Sequence, residues 1–526
     1  MIERKIQTEA YWQEEFVITK QDVQSLVQLY LENQAPMTLA ELSRALIDRY
    51  CQREKNLIRR SLTNGTVYRP NGTFAVGETL VFPHLDFAQG EVVDVREGNN
   101  PEYGEFQVVA VRLAKEERSF AARLGIEHKL AFPDDVSIEQ MFIPSVETLY
   151  DLYGNLVADK LERQLTQNGA FVRFRDRWLA AEMLAQVHVG HLNLAEAVLD
   201  MQAKPLPTEK LLPDLDLPQE ISPALKVFSL NYAMTQDERF DDVGANGQIV
   251  WGLRRWEPQE VVSTPAWFKY EPTPYDRTRL DVTHLQLERE IDDQLSGVMA
   301  LPSTVDAQSL TLILSYPHRR LGSLPLTDRT GRFFPAGHVD QHTRVTFIDR
   351  HQNAEFPGWV VRGDKFVYGL GEWYKTNQVP VGAYIKLEKT GDPNCVAIDI
   401  IPRRMKREWV CTLFKNDQGG LRFQVQKSPI ACEYDPKFLM QMDDQIADEL
   451  WQREQERQRP LDQVIQEVFL EIAKLSSLGT VHAKTLYNGV NILRRCPPGR
   501  IFAVLFELPH FVPVDEGAWM FNENVY

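Results

Sequence analysis

Three groups of residues have types and spacing that suit a phosphate backbone. Arg53, Lys55, Asn56, Arg59 and Arg60 fall within about two turns of a predicted helix, and a helix-turn-helix would lay that helix in a DNA major groove. Arg173, Arg175 and Arg177 alternate in FVRFRDRW, and alternate residues of a strand share one face. Pro402-Arg403-Arg404-Met405-Lys406-Arg407 is the densest basic run, and from Ile401 to Ile430 seven basic residues stand against two acidic ones. Each Lys or Arg that meets a phosphate releases condensed counterion, so such groups bind nucleic acid in proportion to their number. The same arginines suit an acidic protein partner, and a charged helix face can simply be solvated.

Groups that would do covalent or metal chemistry are scattered. His338 and His342 are four apart, a zinc spacing on a helix, but Gly337 and the β-branched Thr343 and Val345 predict a turn running into a strand. His188 and His191 flank Gly190 without a carboxylate or cysteine to complete a ligand set. Glu388-Lys389, and Glu433-Tyr434-Asp435 with Lys437, are the nearest approaches to the carboxylate-lysine set of a metal-dependent nuclease. Phosphate-binding loops and nucleophile elbows are missing. The five cysteines, Cys51, Cys395, Cys411, Cys432 and Cys496, form no CxxC pair, which predicts neither a disulfide framework nor a zinc ribbon. The expectation is a protein without catalytic residues, cofactor or metal.

The elements that must position the basic groups follow from periodicity. Over 526 residues with 43% hydrophobic and 25% charged side chains, several domains of mixed α+β class are expected. The net charge of -16 makes any nucleic-acid contact local. The opening MIERKIQTEAYWQEEF has no apolar core of a signal peptide, and no run is long enough for a membrane span, so a cytoplasmic protein is expected. Helical stretches closed by an aromatic hairpin recur, at Asn64 to Phe74, Asn168 to Trp178, Phe240 to Leu253 and Pro509 to Trp519. They predict winged helix-turn-helix modules over 1–75, 133–189, 190–260 and, behind an acidic helix, 431–526. In the first, Thr38 and Glu41 form a capping box. Short strands and tight turns over 76–132 predict an SH3-like or KOW-like small β-barrel. Prolines mark 261–308 as a linker, and 309–430 reads as a larger β-barrel. From Glu433 to Arg457 eight acidic residues meet three basic ones, which would neutralise a basic neighbour.

Between His191 and Trp256 the wording becomes specific. Ala195-Glu196-Ala197-Val198-Leu199, Lys204-Pro205-Leu206, and Arg239-Phe240-Asp241-Asp242-Val243 closing on Trp251-Gly252-Leu253 resemble the HARE-HTH domain. That family occurs in bacterial RNA polymerase delta subunits and in chromatin and DNA-modification proteins, and includes both DNA binders and protein-interaction modules. Phe366 to Asn377 followed by Val379 to Ile385 reads as strand, short helix, turn, strand. It resembles the closing unit of the pseudobarrel DNA-binding domain of plant auxin-response factors and of restriction-enzyme recognition domains, which carry Gly-Asp where this chain has Gly382-Ala383. These resemblances imply a non-enzymatic protein associated with duplex DNA, in transcription, chromosome organisation or recruitment of a DNA-processing machine. Two alternatives stand beside it: a scaffold whose winged helices bind a protein partner, and the recognition subunit of a restriction or defence system. The helix from Ala224 to Gln236 has Lys226 as its only basic residue, which favours the scaffold. The oligomeric state is open.

Overall fold

In the computed structural model, which describes residues 4–523 other than 115, 127, 129, 132–137, 298–306 and 338–340, Thr19 and Thr38 each open a helix through a reciprocal cap. Each threonine hydroxyl accepts the N–H three residues on, and that residue's carboxylate accepts the threonine N–H. Helix α1 (Lys20–Asn33), strand β1 (Met37–Thr38) and helix α2 (Leu39–Leu62) follow. The helix opened by the Thr38–Glu41 capping box and the helix carrying Arg53 to Arg60, expected to be separate elements of a helix-turn-helix, are one continuous helix. No glycine or proline interrupts the stretch, and its middle is fixed: Arg49, Tyr50 and Arg53 all bind the buried Asp22 of α1.

The hairpin predicted from Asn64 to Phe74 is not formed. Strand β2 (Thr66–Val67) instead runs parallel to β3 (Thr79–Phe82). With β4 (Ala88–Glu97), β5 (Gln107–Leu113) and β6 (Glu116–Ala122) they make a five-stranded sheet in chain order. Tyr68 and Phe74, read from sequence as a helical module's plug, are buried in this sheet's core with Leu80, Phe82 and Val109. The Arg123 and Leu124 N–H groups bond to the carbonyls of Gly72 and Pro70, both at 2.9 Å, and draw the two ends of the sheet together.

Helices α3 (Ile138–Phe142) and α4 (Val146–Gln167) and the hairpin β7 (Phe171–Phe174) and β8 (Arg177–Ala180) complete the first unit's framework. Strand β8 pairs with β1, giving the sheet order β1-β8-β7. The two modules predicted at 1–75 and 133–189 are therefore one: α1, α2 and α4 with a three-stranded sheet, into which the five-stranded sheet is inserted between the second and third helices. Leu26, Tyr30, Leu42, Leu161, Phe171 and Trp178 share its core.

The same order recurs. Helix α5 (Val189–Gln202), strand β9 (Leu206–Pro207), helices α6 (Thr208–Leu211) and α7 (Pro223–Thr235), and strands β10 (Phe240–Asp242) and β11 (Val250–Leu253) form a second set. Its elements match the predicted three helices and hairpin, and its sheet order is β10-β11-β9. Glu196 and Arg239, both within the HARE-HTH-like wording, are ion-paired at 2.5 Å.

After α8 (Gln259–Val262) and α9 (Val282–Ile291) comes a seven-stranded half-barrel. It uses β12 (Ser309–Ile313), helix α10 (Tyr316–Leu321), β13 (Ser323–Pro325), β14 (His342–Asp349), β15 (Glu355–Val361) and β16 (Phe366–Tyr368). Helix α11 (Gly371–Thr376), β17 (Tyr384–Lys389) and β18 (Cys395–Ile400) close it. The order is β12-β17-β18-β14-β15-β16-β13, and among these described strands only the β14–β18 pair is parallel. The strand, helix, turn and strand predicted over 366–385 are present. Gly382 makes the turn at φ +94°, where a Cβ would stand 2.9 Å from the Leu439 nitrogen.

A long ribbon, β19 (Pro402–Lys415) and β20 (Leu421–Cys432), leaves the half-barrel and is met by β21 (Met440–Gln441). The predicted acidic helix is α12 (Asp444–Arg457). A third set follows: α13 (Leu461–Ala473), β22 (Thr480–His482), α14 (Ala483–Leu493), α15 (Pro498–Glu507), β23 (Phe511–Asp515) and β24 (Ala518–Phe521), in sheet order β22-β24-β23.

One register unites the three sets. Met37, Leu206 and Val481 lie opposite Trp178, Trp251 and Trp519, all three tryptophans buried. The next residue, Thr38, Pro207 or His482, is the N-cap of the following helix. The chain divides into one compact unit of 1–189 with 216–233 and another of 190–215 with 234–526. No described helix is long and apolar enough to cross a membrane.

Candidate nucleic-acid interface

The three predicted basic groups meet different fates. On α2, Arg53 is tied at 3.2 Å to Asp22, which also accepts from Arg49, the Tyr50 hydroxyl and Thr19. Burial alone would raise the Asp22 carboxyl, but the Thr19 and Tyr50 hydrogen bonds and the charge of Arg53 hold it below its usual value. Arg59 donates to Glu139 at 2.8 Å. Lys55, Asn56 and Arg60 remain, with Asn56 and Arg60 exposed, too few for a groove-reading face.

The wing arginines do not share one strand face. Arg173 lies on β7 and Arg177 on β8, while Arg175 is in the turn between them at φ +54°. Phe174 pairs with Arg177, so the hairpin turns over Arg175 and Asp176 and breaks the alternation. Arg173 is bound to Glu162 at 2.5 Å, and Arg177 donates to the Pro36 carbonyl at 3.0 Å.

The third group is different. Pro402 pairs with Cys432 and Lys406 with Ile430, so Arg403, Arg404 and Met405 oppose Ala431 alone. This bulge turns their side chains out of the ladder, as bulges do. Arg404, Met405, Lys406 and Arg407 are exposed. Among the described residues the side chains of Arg404, Lys406 and Arg407 have no hydrogen bond or ion pair, whereas Arg403 pairs with Glu408 at 3.5 Å. Trp409 lies directly across from Lys427 and two residues from Arg407, on the same ribbon face. Trp409 is 65% exposed, and the Lys427 ammonium sits 4.8 Å from the ring centroid. Every other described tryptophan is buried or partly buried.

The acidic helix α12 touches the other end of the ribbon, where Glu449 pairs with Lys415 and Arg453 donates to the Gln418 carbonyl. Of its other acids, Asp448 pairs with Arg320 and Glu454 takes Arg459 and Arg494. The bulge cations are left unneutralised. The sequence located this basic run, and its register against β20 supplied what periodicity could not: the bulge and the exposed ring.

The remaining sequence candidates come to little. Glu388 pairs with Lys386 and Arg350, and Asp435 with Lys484, while His338 lies outside the described residues. A cavity of about 1550 Å³ in the second unit is lined by Glu290, Asp292, Asp435 and Lys484 among others. Lys484 bridges Glu290 and Asp435 there at 2.6 and 2.7 Å. Compared with protein-family models, curated proteins and solved structures, the chain matches none.

Proposed function

We propose that the chain is a non-enzymatic DNA-associated protein that holds duplex DNA through the β19–β20 ribbon. The observation that carries the reading is the cluster of unpaired cations Arg404, Lys406 and Arg407 beside the exposed Trp409. A B-DNA major groove, about 12 Å wide, admits a two-stranded ribbon. Cations on its face and bulge then meet phosphates, while Trp409 and Met405 offer apolar contact to base edges. In this reading the three helix-and-hairpin sets are winged helices, the second of HARE-HTH type, the five-stranded sheet is an SH3-like brace, and the half-barrel is a pseudobarrel. Transcription, chromosome organisation or recruitment of a DNA-processing machine would use such a protein.

Fluorescence anisotropy with a random duplex at about 50 and 200 mM salt tests it. Three phosphate contacts give a log-log slope of about -2.7, a roughly 40-fold loss over that interval. Replacing Arg404, Lys406 and Arg407 by alanine flattens the slope by about one unit for each cation that had met a phosphate. Trp409→Ala weakens binding at an unchanged slope, because it removes no charge. Wild-type protein that does not bind at about 50 mM salt would sink the reading.

A second reading, the protein-binding scaffold, is favoured by the third helix of each of the last two sets. In α7 the only basic residue is Lys226, and in α15 Ile501 to Leu505 are buried. A groove-reading helix needs an exposed basic face. Under this reading duplex binding is absent, and the ribbon substitutions abolish capture of an acidic protein instead.

A further inference from the structure

Asp241 is on β10, Glu257 follows the 3-10 turn Arg254–Trp256, and His342 begins β14, all in the second unit. The half-barrel strand and the hairpin are locked at this point. The Arg344 N–H bonds to the Val243 carbonyl at 3.1 Å, and the Gln341 amide donates to the carbonyls of Asp242 and Gly244 at 2.7 and 2.8 Å. One donor atom from each of Asp241, Glu257 and His342 lies within 4.8 Å of the other two. His342 Nδ1 is 2.7 Å from Glu257 Oε2 and 3.7 Å from Asp241 Oδ2.

The Glu257 side chain is only 1% exposed, and its second oxygen, Oε1, has no hydrogen-bond partner among the described residues. Leaving a buried acceptor unsatisfied costs about 1–3 kcal/mol, more when it is charged. The imidazole offers the two carboxylates a single Nδ1, which Glu257 Oε2 takes, so Oε1 is left without a donor in this arrangement. We propose that Asp241, Glu257 and His342 bind a divalent transition-metal ion of the zinc or manganese class. A cation between them answers both oxygens of Glu257 at once. One imidazole with two carboxylates favours such ions over calcium and magnesium. Donors held by one zinc ion stand roughly 3–3.5 Å apart, which small side-chain shifts reach from the present spacing. Three protein ligands leave a position for water, and Asp241 and His342 keep 20% and 24% exposure. The site stands independently of the DNA reading, since none of its residues belongs to the ribbon.

Isothermal titration of full-length, chelator-treated protein tests the site. The expected result is one zinc ion per chain, bound more tightly than manganese in keeping with the affinity order of these ions, with calcium failing to compete. Glu257→Gln and His342→Ala should each weaken zinc by roughly tenfold or more, the loss that disturbing even outer partners causes. If either variant fails to fold by circular dichroism, Asp241→Asn, which keeps the side chain's shape, must show the same loss. No saturable zinc binding by the wild type overturns the proposal, as does equal affinity in the folded variants.

Discussion

Asp22 shows how much a single side chain can redirect the reading of its neighbours. Arg53 looks from sequence like a phosphate ligand, yet it spends its charge on this buried carboxylate. Arg53→Ala should therefore lower stability by about 1 kcal/mol, a discounted value for a partly exposed pair, and leave any salt slope of DNA binding unchanged. Asp22→Ala should cost about 3 kcal/mol, because it strands two arginines and a tyrosine. Chemical denaturation measures both. His318 makes a pH prediction at the same scale. It is buried between Ser323 Oγ and Gln294 Oε1, both at 2.8 Å, and burial pushes its pKa down to about 3. The unfolded histidine takes a proton below about 6.5 and the folded one does not, so the neutral ring's contribution is present above that pH and is lost as pH falls towards 3. The slope is at most about 1.4 kcal/mol per pH unit. Urea unfolding at pH 7, 6 and 5 should show a flatter decline for His318→Gln than for wild type, and equal slopes would refute the assignment. At this scale residue type was legible and occupancy was not. The basic run at 403–407 could be located from composition, but whether an arginine is free depends on partners far along the chain, 80 residues away for Arg59 and Glu139 and 141 for Arg177 and Pro36.

Among elements, the recurring register of a short strand against a buried tryptophan carries the most information. Trp178, Trp251 and Trp519 fill the same place in each set, so replacing any one by alanine should cost about 3–5 kcal/mol, read as a fall in melting temperature. If Trp251→Ala melted like wild type, the equivalence of the three sets would fail. The closing hairpins at 171–180, 240–253 and 511–521 were legible because each pairs apolar alternation with a turn. The insertion was not. Thr66-Val67-Tyr68 has the same local pattern as those hairpins, and only its parallel pairing to Leu80 and Val81 assigns it to another sheet. Strands β1, β9 and β22 are too short to show a period, yet they define the sets. The meeting of Glu257 with His342 was equally hidden, since sequence spacing paired His342 with His338 instead.

For the whole molecule, the division between units crosses the chain three times. Leu225 and Phe228 of α7 belong to the first unit's core with Leu26, Trp178 and Phe171, and the ring of Phe228 meets Phe174 edge-on at 6.3 Å. Phe228→Ala should thus open amides of α1 and β8, far away in sequence, while those of β14 and β15 keep their protection. Hydrogen exchange of the full chain distinguishes this from a uniform loss, which would deny the two-unit division. The net charge of -16 enters here as well, since it restricts binding to whatever local surface escapes neutralisation.

Because residues 190–215 are made before 216–233 but belong to the other unit, the order of synthesis acquires a meaning. On the ribosome the first unit must wait, its core unfinished, until the opening stretch of the second has already emerged. A gene broken once at any of the three crossings would leave at least one half without a piece of itself, so the two units are bound to a single reading frame.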